Sequence, residues 1–177
     1  KVNGYFQGII AGRNGTILVS TNSGMNWSQI NTGLQSDLNS LSFSDNTHLY
    51  AAGNNGVFMN SPDFGHNWNI INLYTYSNFK TISFSSSGSN PPTGWGLLAG
   101  DNGACFISTD FGSTWSFENT GFNCDFKAGF PVYSSNQVYL SGTGGKIIVR
   151  MQDSLYIYQY DLSANNIRTR VCSDGVF

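Results

Sequence analysis

A segment ending in a glycine turn recurs four times along this chain, and no other sequence feature limits the fold as strongly. Each copy is a short apolar run followed by Gly, two turn residues and a second Gly. The first glycines of the copies lie 41 to 47 residues apart and are Gly12, Gly53, Gly100 and Gly142. An internal period of this length is typical of folds built from repeated supersecondary units. Asn-Gly between apolar runs predicts a hairpin turn with positive φ at both central residues.

A second hairpin motif follows the first three glycine turns. It reads Ser-x-Asp-x-Gly-x-x-Trp and occurs at residues 20–27, 61–68 and 108–115, with Asn in place of Asp in the first copy. The Asp oxygen can accept hydrogen bonds from the turn's own N–H groups, and the Gly can take a left-handed conformation. We therefore predict a structural role for the motif residues Ser20, Asn22, Gly24, Trp27, Ser61, Asp63, Gly65, Trp68, Ser108, Asp110, Gly112 and Trp115. The fourth copy, at 150–157, has lost the Ser, the Gly and the Trp.

Alternating apolar residues at 38–45, 79–86 and 126–133 predict a further strand before each of the later glycine turns. Four antiparallel strands in every unit of 40-odd residues predict a β-propeller blade. The predicted fold is all-β, a single propeller domain of four four-stranded blades. Its repeat units are 1–37, 38–78, 79–125 and 126–166.

The first unit lacks its opening strand, and residues 167–177 resemble the strand that is missing. One interpretation is that this C-terminal strand completes the first blade and closes a four-bladed ring. A second is that it completes a blade on a neighbouring subunit and builds a head-to-tail polymer. A third is that the chain is one part of a longer propeller. The tethered strand has a high effective concentration, which favours closure within one chain.

Composition excludes several classes of function. Charged residues make up 10% of the chain and the net charge is −2, so there is no basic footprint for nucleic acid and no polybasic membrane patch. No apolar stretch approaches membrane-spanning length, so no membrane insertion is expected. His48 and His66 lack metal-ligand spacing, and no phosphate-binding motif is present, so we expect neither metal nor cofactor.

The three cysteines permit one disulfide bond. Cys105 and Cys124 are predicted to lie at the same end of one blade, so we expect them to be bonded, whereas Cys172 replaces a core position. A disulfide indicates an oxidising compartment, and we expect an extracellular or periplasmic protein.

The three Ser-x-Asp-x-Gly-x-x-Trp motifs resemble the Asp-box, or BNR, repeat of a β-propeller superfamily. Together with the preceding Gly-x-x-Gly stretch, they look most like the photosystem II stability/assembly-factor group and secreted bacterial repeat proteins. The resemblance covers nearly all of the chain and is specific for fold, not for function.

The superfamily includes sialidases and other glycosidases, but this chain departs from their patterns. Sialidases resemble one another in having six blades and an arginine triad, whereas this chain has four repeats and Glu118 as its only glutamate. Other glycosidases need two carboxylates across a cleft. Asp63 and Asp110 belong to the motifs, and the remaining aspartates fit turns better than a catalytic pair. We therefore expect no enzyme, with a carbohydrate-active propeller or a fragment of one as the alternative.

Propeller partners usually bind the face formed by the glycine turns and the loops between blades. The predicted binding face contains Arg13, Asn54, Asp101, Tyr74, Tyr76 and Phe122. Exposed tyrosines can contact proteins adaptably and can also stack on sugars; an alternative is that the aromatics cap blade packing. The sequence thus predicts an extracellular binding or assembly module for a protein or glycan partner, which self-assembles if the terminal strand acts between subunits.

Overall fold

The computed structural model describes residues 7–86, 94–132, 137–151, 154–161 and 166–173, with side chains described up to residue 150 except that of Ser86. The chain forms two compact units, Lys1–Phe79 and Lys80–Phe177. Within the described ranges, every regular element longer than a single turn is a β-strand, and no helix there is long and apolar enough to cross a membrane.

The first unit contains two antiparallel sheets, numbered here in chain order. The first sheet has strand order β1-β2-β3 and the second β4-β5-β6-β7. Their strands are β1 (Gly8–Ala11), β2 (Ile17–Ser20), β3 (Ser28–Ile30), β4 (Leu38–Phe43), β5 (Leu49–Gly53), β6 (Phe58–Ser61) and β7 (Asn69–Ile70).

The second unit holds the third sheet, with strand order β8-β9-β10-β11, and the fourth, with order β12-β13-β14-β15-β16. The strands of the third sheet are β8 (Phe79–Ser86), β9 (Gly94–Gly100), β10 (Cys105–Ser108) and β11 (Ser116–Phe117). Those of the fourth are β12 (Phe126–Val132), β13 (Gln137–Gly142), β14 (Lys146–Met151), β15 (Ser154–Asp161) and β16 (Asn166–Ser173).

The glycine turns have the backbone conformation that their sequence predicts. In the first, Asn14 and Gly15 have φ of 51° and 64°, and the Thr16 N–H bonds the Arg13 carbonyl at 3.0 Å. The Asn-Gly pairs that begin at Asn55 and Asn102 are likewise left-handed. Asn and Gly tolerate this conformation better than other residues, so the turns follow from local chemistry alone.

The Ser-x-Asp-x-Gly-x-x-Trp turns, called motif turns below, share one hydrogen-bond pattern. In the third, Ser108 Oγ accepts the Gly112 N–H at 2.7 Å and donates to Asp110 Oδ1 at 2.8 Å. Asp110 Oδ1 also accepts the Thr114 N–H, and Trp115 Nε1 donates to the Gly112 carbonyl. The turns at 20–27 and 61–68 repeat these bonds, with Asn22 Oδ1 taking the place of a carboxylate oxygen in the first.

Each unit has a core formed where its two sheets pack face to face. In the first unit, buried Ile17 and Val19 from β2 cluster with Ala51 and Met59 of the second sheet. In the second unit, Leu97, Ala99, Cys105 and Ile107 of the third sheet cluster with residues of the fourth, including Phe126, Val138, Leu140 and Ile148. Alternation along the strands therefore turns one apolar face of each sheet toward the other sheet of its unit, as expected for stacked sheets.

The C-terminal strand does not have the predicted partner. It was expected to complete the first blade, but β16 pairs with β15 along eight residues and forms the fifth strand of the fourth sheet. The first sheet has three strands among the described residues. The connection between β15 and β16 is short, so this local antiparallel pairing closes a much smaller loop than pairing with β1 would require.

Removing the serine of a motif turn tests how much that turn stabilises the fold. Ser108→Ala leaves the buried Gly112 N–H without its acceptor, so we expect the free energy of unfolding to fall by about 1–3 kcal/mol. Ser113→Ala in the same turn is the matched control, since its hydroxyl bonds the Asp110 carbonyl at an exposed position. Urea denaturation measures both, and equal losses would contradict the assigned role.

The motif aspartates predict a specific loss of stability in acid. The Asn67 side chain and backbone N–H lower the pKa of Asp63; at Asp110, burial opposes, but bonds from Thr114 prevail and lower its pKa. A carboxyl group whose pKa is lower in the folded than in the unfolded state stabilises the fold at pH values above the unfolded-state pKa of about 4. This stabilisation is lost as the pH falls through the folded-state pKa. Asp63→Asn with Asp110→Asn should therefore flatten the decline in unfolding free energy below about pH 4.

Denaturant titrations at a series of pH values measure this slope. Part of the decline should remain in the double variant, because the pKa of Asp45 is lowered as well. Burial raises this pKa, but hydrogen bonds from His48 and Thr47 outweigh the effect of burial. The first motif turn, with Asn22, already lacks the titrating group. Identical slopes for the wild type and the double variant would contradict the prediction.

Candidate binding site

Three loops of equal length lead from the outer strand of one sheet to the inner strand of the next. These connecting loops cover residues 31–37, 72–78 and 119–125, and each begins with Asn. The side chain of that Asn bonds the N–H two residues ahead, at Gly33 (3.0 Å), Tyr74 (2.8 Å) and Gly121 (3.0 Å). Each loop thus opens with the same Asx-turn, a bond that Asn makes readily to its own backbone.

The end of each connecting loop is bonded to the glycine turn of its own sheet. The side-chain oxygens of Asp37, Asn78 and Asp125 accept the backbone N–H of the turn residues Asn14, Asn55 and Asn102, respectively. One residue earlier, the loop carbonyl accepts the N–H of the turn's second Gly at 2.8–3.0 Å. The loops and the glycine turns are therefore one bonded structure at one end of each sheet.

Two loop ends also bond the following sheet. The Asp37 carbonyl accepts the Asn54 N–H at 2.9 Å, and the Asp125 carbonyl accepts the Thr143 N–H at the same distance. Each of these aspartates thus joins the glycine turns of two successive sheets. Asp37 and Asp125 are consequently committed to structure, in agreement with the turn-forming interpretation of the aspartates.

Grooves lie between these loops and turns in the first unit. The larger, of about 400 Å³, is bordered by turn residues 55–57, by Ile70 and Ile71, and by loop residues Asn72 and 74–76. We call it the tyrosine groove. A second groove of about 350 Å³ occupies the equivalent place beside Asn14 and Gly15, where loop residues 31–35 form its wall.

Tyr74 and Tyr76 lie at the tyrosine groove, and each residue is 91% exposed. Tyr74 has φ of 55°, whereas the equivalent left-handed residues of the other two connecting loops are Gly33 and Gly121. A bulky residue in this conformation costs about 1–3 kcal/mol. Phe64 and Phe111 are also left-handed, but their rings pack, on Phe43 and Gly94.

The structure places Tyr74 and Tyr76 beside the turn that Asn54 begins. Arg13 is exposed on the neighbouring glycine turn of the first unit. Asn54 accepts a hydrogen bond from Asn39 at 2.8 Å. In the second unit, the Asp101 carboxylate pairs with Lys80 at 3.4 Å.

Phe122 fits the packing alternative. It is half-buried against the core of the second unit, and the Lys146 ammonium lies 5.1 Å from its ring centroid. Sequence reasoning missed Val57, Ile70 and Ile71 in the tyrosine groove. The sequence held no signal for Ile70, which is 68% exposed but lies on a two-residue strand too short to show alternation.

The predicted disulfide is wrong. Cys105 and Cys124 are both free and buried within the core of the second unit, where they pack as small apolar side chains. Burial raises the pKa of both thiols, which disfavours the reactive thiolate. The inference of an oxidising compartment therefore loses its basis, and the extracellular or periplasmic location stays a prediction.

Four carboxylates of the described residues are held by ion pairs or turn bonds, and no metal-binding cluster is present in that part of the chain. No group of three or more His, Cys, Asp and Glu side chains in that part of the chain could hold a metal ion. Glu118 forms an ion pair with Arg150 at 2.9 Å, and Asp45 binds His48 at 2.7 Å within a turn. The motif residues Asp63 and Asp110 are engaged by their own turns.

Replacing a glycine of a glycine turn by alanine tests how closely the connecting loop packs against that turn. A Cβ on Gly103 would collide with the Phe122 carbonyl oxygen, whereas Gly144, with the same φ of 72°, has nothing within 4 Å. Gly144→Ala should cost only the left-handed conformation, about 1–2 kcal/mol. We expect Gly103→Ala to lower the free energy of unfolding clearly further in urea titrations; equal costs would show that the loop yields freely.

Comparison with known proteins supports the fold. No family model matches the chain, and no curated protein matches it by sequence. The structure matches one described as YCF48 bound to D1 peptide, with a TM-score of 0.58 and 14% identity over 94% of this chain, and it spans 63% of that chain. It also matches YCF48 from Cyanidioschyzon merolae, with a TM-score of 0.56 and 12% identity; 93% of this chain and 67% of that chain are covered.

The fold is therefore all-β, with four antiparallel sheets, and is similar to that of a β-propeller protein. The number of blades and the closure of a ring stay predictions.

Proposed function

We propose that this chain is a non-enzymatic protein-binding module that holds a peptide segment of a partner in the tyrosine groove. The observation that carries the proposal is Tyr74, which occupies a left-handed position filled by Gly in the other two connecting loops. The residue is 91% exposed. Strain retained without a packing reason is typical of functional positions, and exposed tyrosines are typical of protein-contact surfaces.

The groove favours an uncharged partner segment. Apart from the tyrosines, its border contains no ionisable side chain, and Val57, Ile70 and Ile71 give it apolar walls. Asn55 and Asn72 add amide groups beside those walls. An aliphatic side chain in the groove, with amide bonds to the peptide backbone, combines an apolar anchor with polar contacts around it, as interfaces commonly do.

The structural neighbour provides separate support. YCF48 has been seen bound to a D1 peptide, so a protein with a similar fold accommodates a peptide. At 14% identity, only the fold is shared, and the partner of this chain is proposed by chemistry alone: an uncharged segment with an aliphatic anchor.

Three of the described carboxylates already bond other groups of the chain, which favours a binding function over glycoside hydrolysis. A retaining or inverting glycosidase needs one carboxyl group as acid and a second as nucleophile or base across a cleft. Glu118 is held by Arg150, and Asp37 and Asp125 bond the glycine turns. None of the three has a place beside the tyrosine groove, whose border contains no carboxylate.

A random peptide display library, panned against the purified protein, tests the proposal. We expect uncharged peptides with aliphatic residues to be enriched. The double variant Tyr74→Gly with Tyr76→Gln installs the residue types of the first loop, Gly33 and Gln35, and should weaken a selected peptide by about tenfold or more. Its stability in urea should be kept or slightly raised, since the strained conformation passes to Gly.

Phe117→Ser is the matched control, because Phe117 is 63% exposed and is not among the residues that border the groove. It should leave peptide affinity unchanged. Unaltered affinity in the tyrosine variant would overturn the proposal. Binding on a glycan array that needs the tyrosines, or turnover of a glycoside, would favour the carbohydrate alternative instead.

A further inference from the structure

The second groove of the first unit has the same backbone frame as the tyrosine groove but carries different side chains. It is bordered by residues 14, 15 and 29–35, and we call it the amide groove. The 41-residue offset between the first two repeats aligns Gln29 with Ile70 and Gln35 with Tyr76. At two positions where the tyrosine groove has an aliphatic and an aromatic side chain, the amide groove therefore has glutamine.

Both glutamines are exposed, and within the described part of the chain neither side chain has a hydrogen-bond partner. The neighbouring Asn31 and Thr32 differ in this respect. The Asn31 side chain accepts the Gly33 N–H, and the Thr32 hydroxyl donates to the Gly15 carbonyl, so both hold the loop itself. The glutamine carboxamides are not used by the loop, and each can donate and accept hydrogen bonds to a ligand.

The chemistry of the border selects an uncharged polar group as the occupant. Among the described residues, those that border the amide groove include no ionisable side chain and no aromatic ring. A charged group of a ligand would lose water there without meeting an opposite charge, which is unfavourable. A sugar would find no aromatic face on which to stack. The carboxamide of Asn or Gln both donates and accepts, so it matches the glutamine side chains.

One residue, Ser36, is bonded to the borders of both grooves. Its carbonyl accepts the N–H of Gly15, on the border of the amide groove, at 2.8 Å. Its hydroxyl accepts the side-chain N–H of Asn55, on the border of the tyrosine groove, at 3.2 Å. The two grooves are therefore neighbours within the first unit. An extended peptide rises about 3.3 Å per residue, so a few residues are enough to reach from one groove into the other.

We propose that the amide groove is a second subsite for the same partner segment and binds an Asn or Gln side chain of that segment. This inference rests on the proposed function, in which the tyrosine groove holds the aliphatic anchor. Gln29 and Gln35 bond the partner's carboxamide, and the anchor and the amide residue lie within about five residues of each other along an extended chain. The two grooves together recognise a pair of residues, which discriminates between partners better than an aliphatic residue alone.

The peptides selected from the display library, aligned on their aliphatic residue, give the first test. We expect Asn or Gln to be enriched at a fixed offset of no more than about five residues. Gln29→Leu with Gln35→Leu should weaken such a peptide by about fivefold, because its amide loses hydrogen bonds while the size of the groove's side chains is kept. Asn26→Leu is the matched control, since Asn26 is exposed but borders neither groove, and it should leave the affinity unchanged. Urea denaturation should show wild-type stability for both variants, because the changed side chains are exposed.

A peptide whose amide residue is changed to Leu completes a double-mutant cycle. It should bind the wild type about fivefold more weakly than its parent, and the glutamine variant should add no further loss. Independent losses in the cycle, or no enrichment of Asn and Gln among peptides that do depend on the tyrosines, would overturn this inference and leave the proposed function standing. A library that yields no peptide dependent on the tyrosines would overturn both.

Discussion

The hydrogen bonds between each connecting loop and its glycine turn determine much of the remaining structure. The loop side chains at Asp37, Asn78 and Asp125 bond the turn's Asn N–H, and the preceding carbonyl bonds the turn's Gly N–H. These bonds satisfy backbone groups that a left-handed turn cannot pair within itself. Because the Asp37 and Asp125 carbonyls also bond the next sheet, they set the offset between successive sheets. The packing of one sheet on another within each unit, and the grooves at their ends, depend on this bonding.

Local chemistry made the turns predictable from the sequence. Asn-Gly pairs require left-handed backbone, and the motif serines and aspartates have few other partners within reach, so turn geometry followed from composition and spacing. The sequence repeat also predicts the number of strands, three in the first sheet and four in each of the next two. The all-β class and its similarity to a propeller protein agree with that prediction.

Predictions that depended on distance between chain segments were less successful. The partner of β16 is decided by competition between a nearby strand and a remote one, and sequence similarity to the missing strand does not measure that competition. The Cys105–Cys124 pairing failed because a shared end of a blade does not ensure disulfide geometry. Of the candidate face, the exposed tyrosines were found, but Ile70 and Ile71 were not, since exposure of an apolar residue cannot be read from alternation in a two-residue strand.

In each connecting loop, the residues that hold the backbone in place are different from those exposed at the surface. Their first and last residues are held by the Asx-turn and by the bond to the glycine turn, in all three copies and at constant length. The residues between them enter those bonds only through their backbone groups. A scaffold of this kind can change what it recognises one loop at a time, by substitution alone, without insertion or deletion. The differing residues Gly33, Tyr74 and Gly121 therefore change the exposed surface of each loop, while the bonds at its two ends are the same in all three copies.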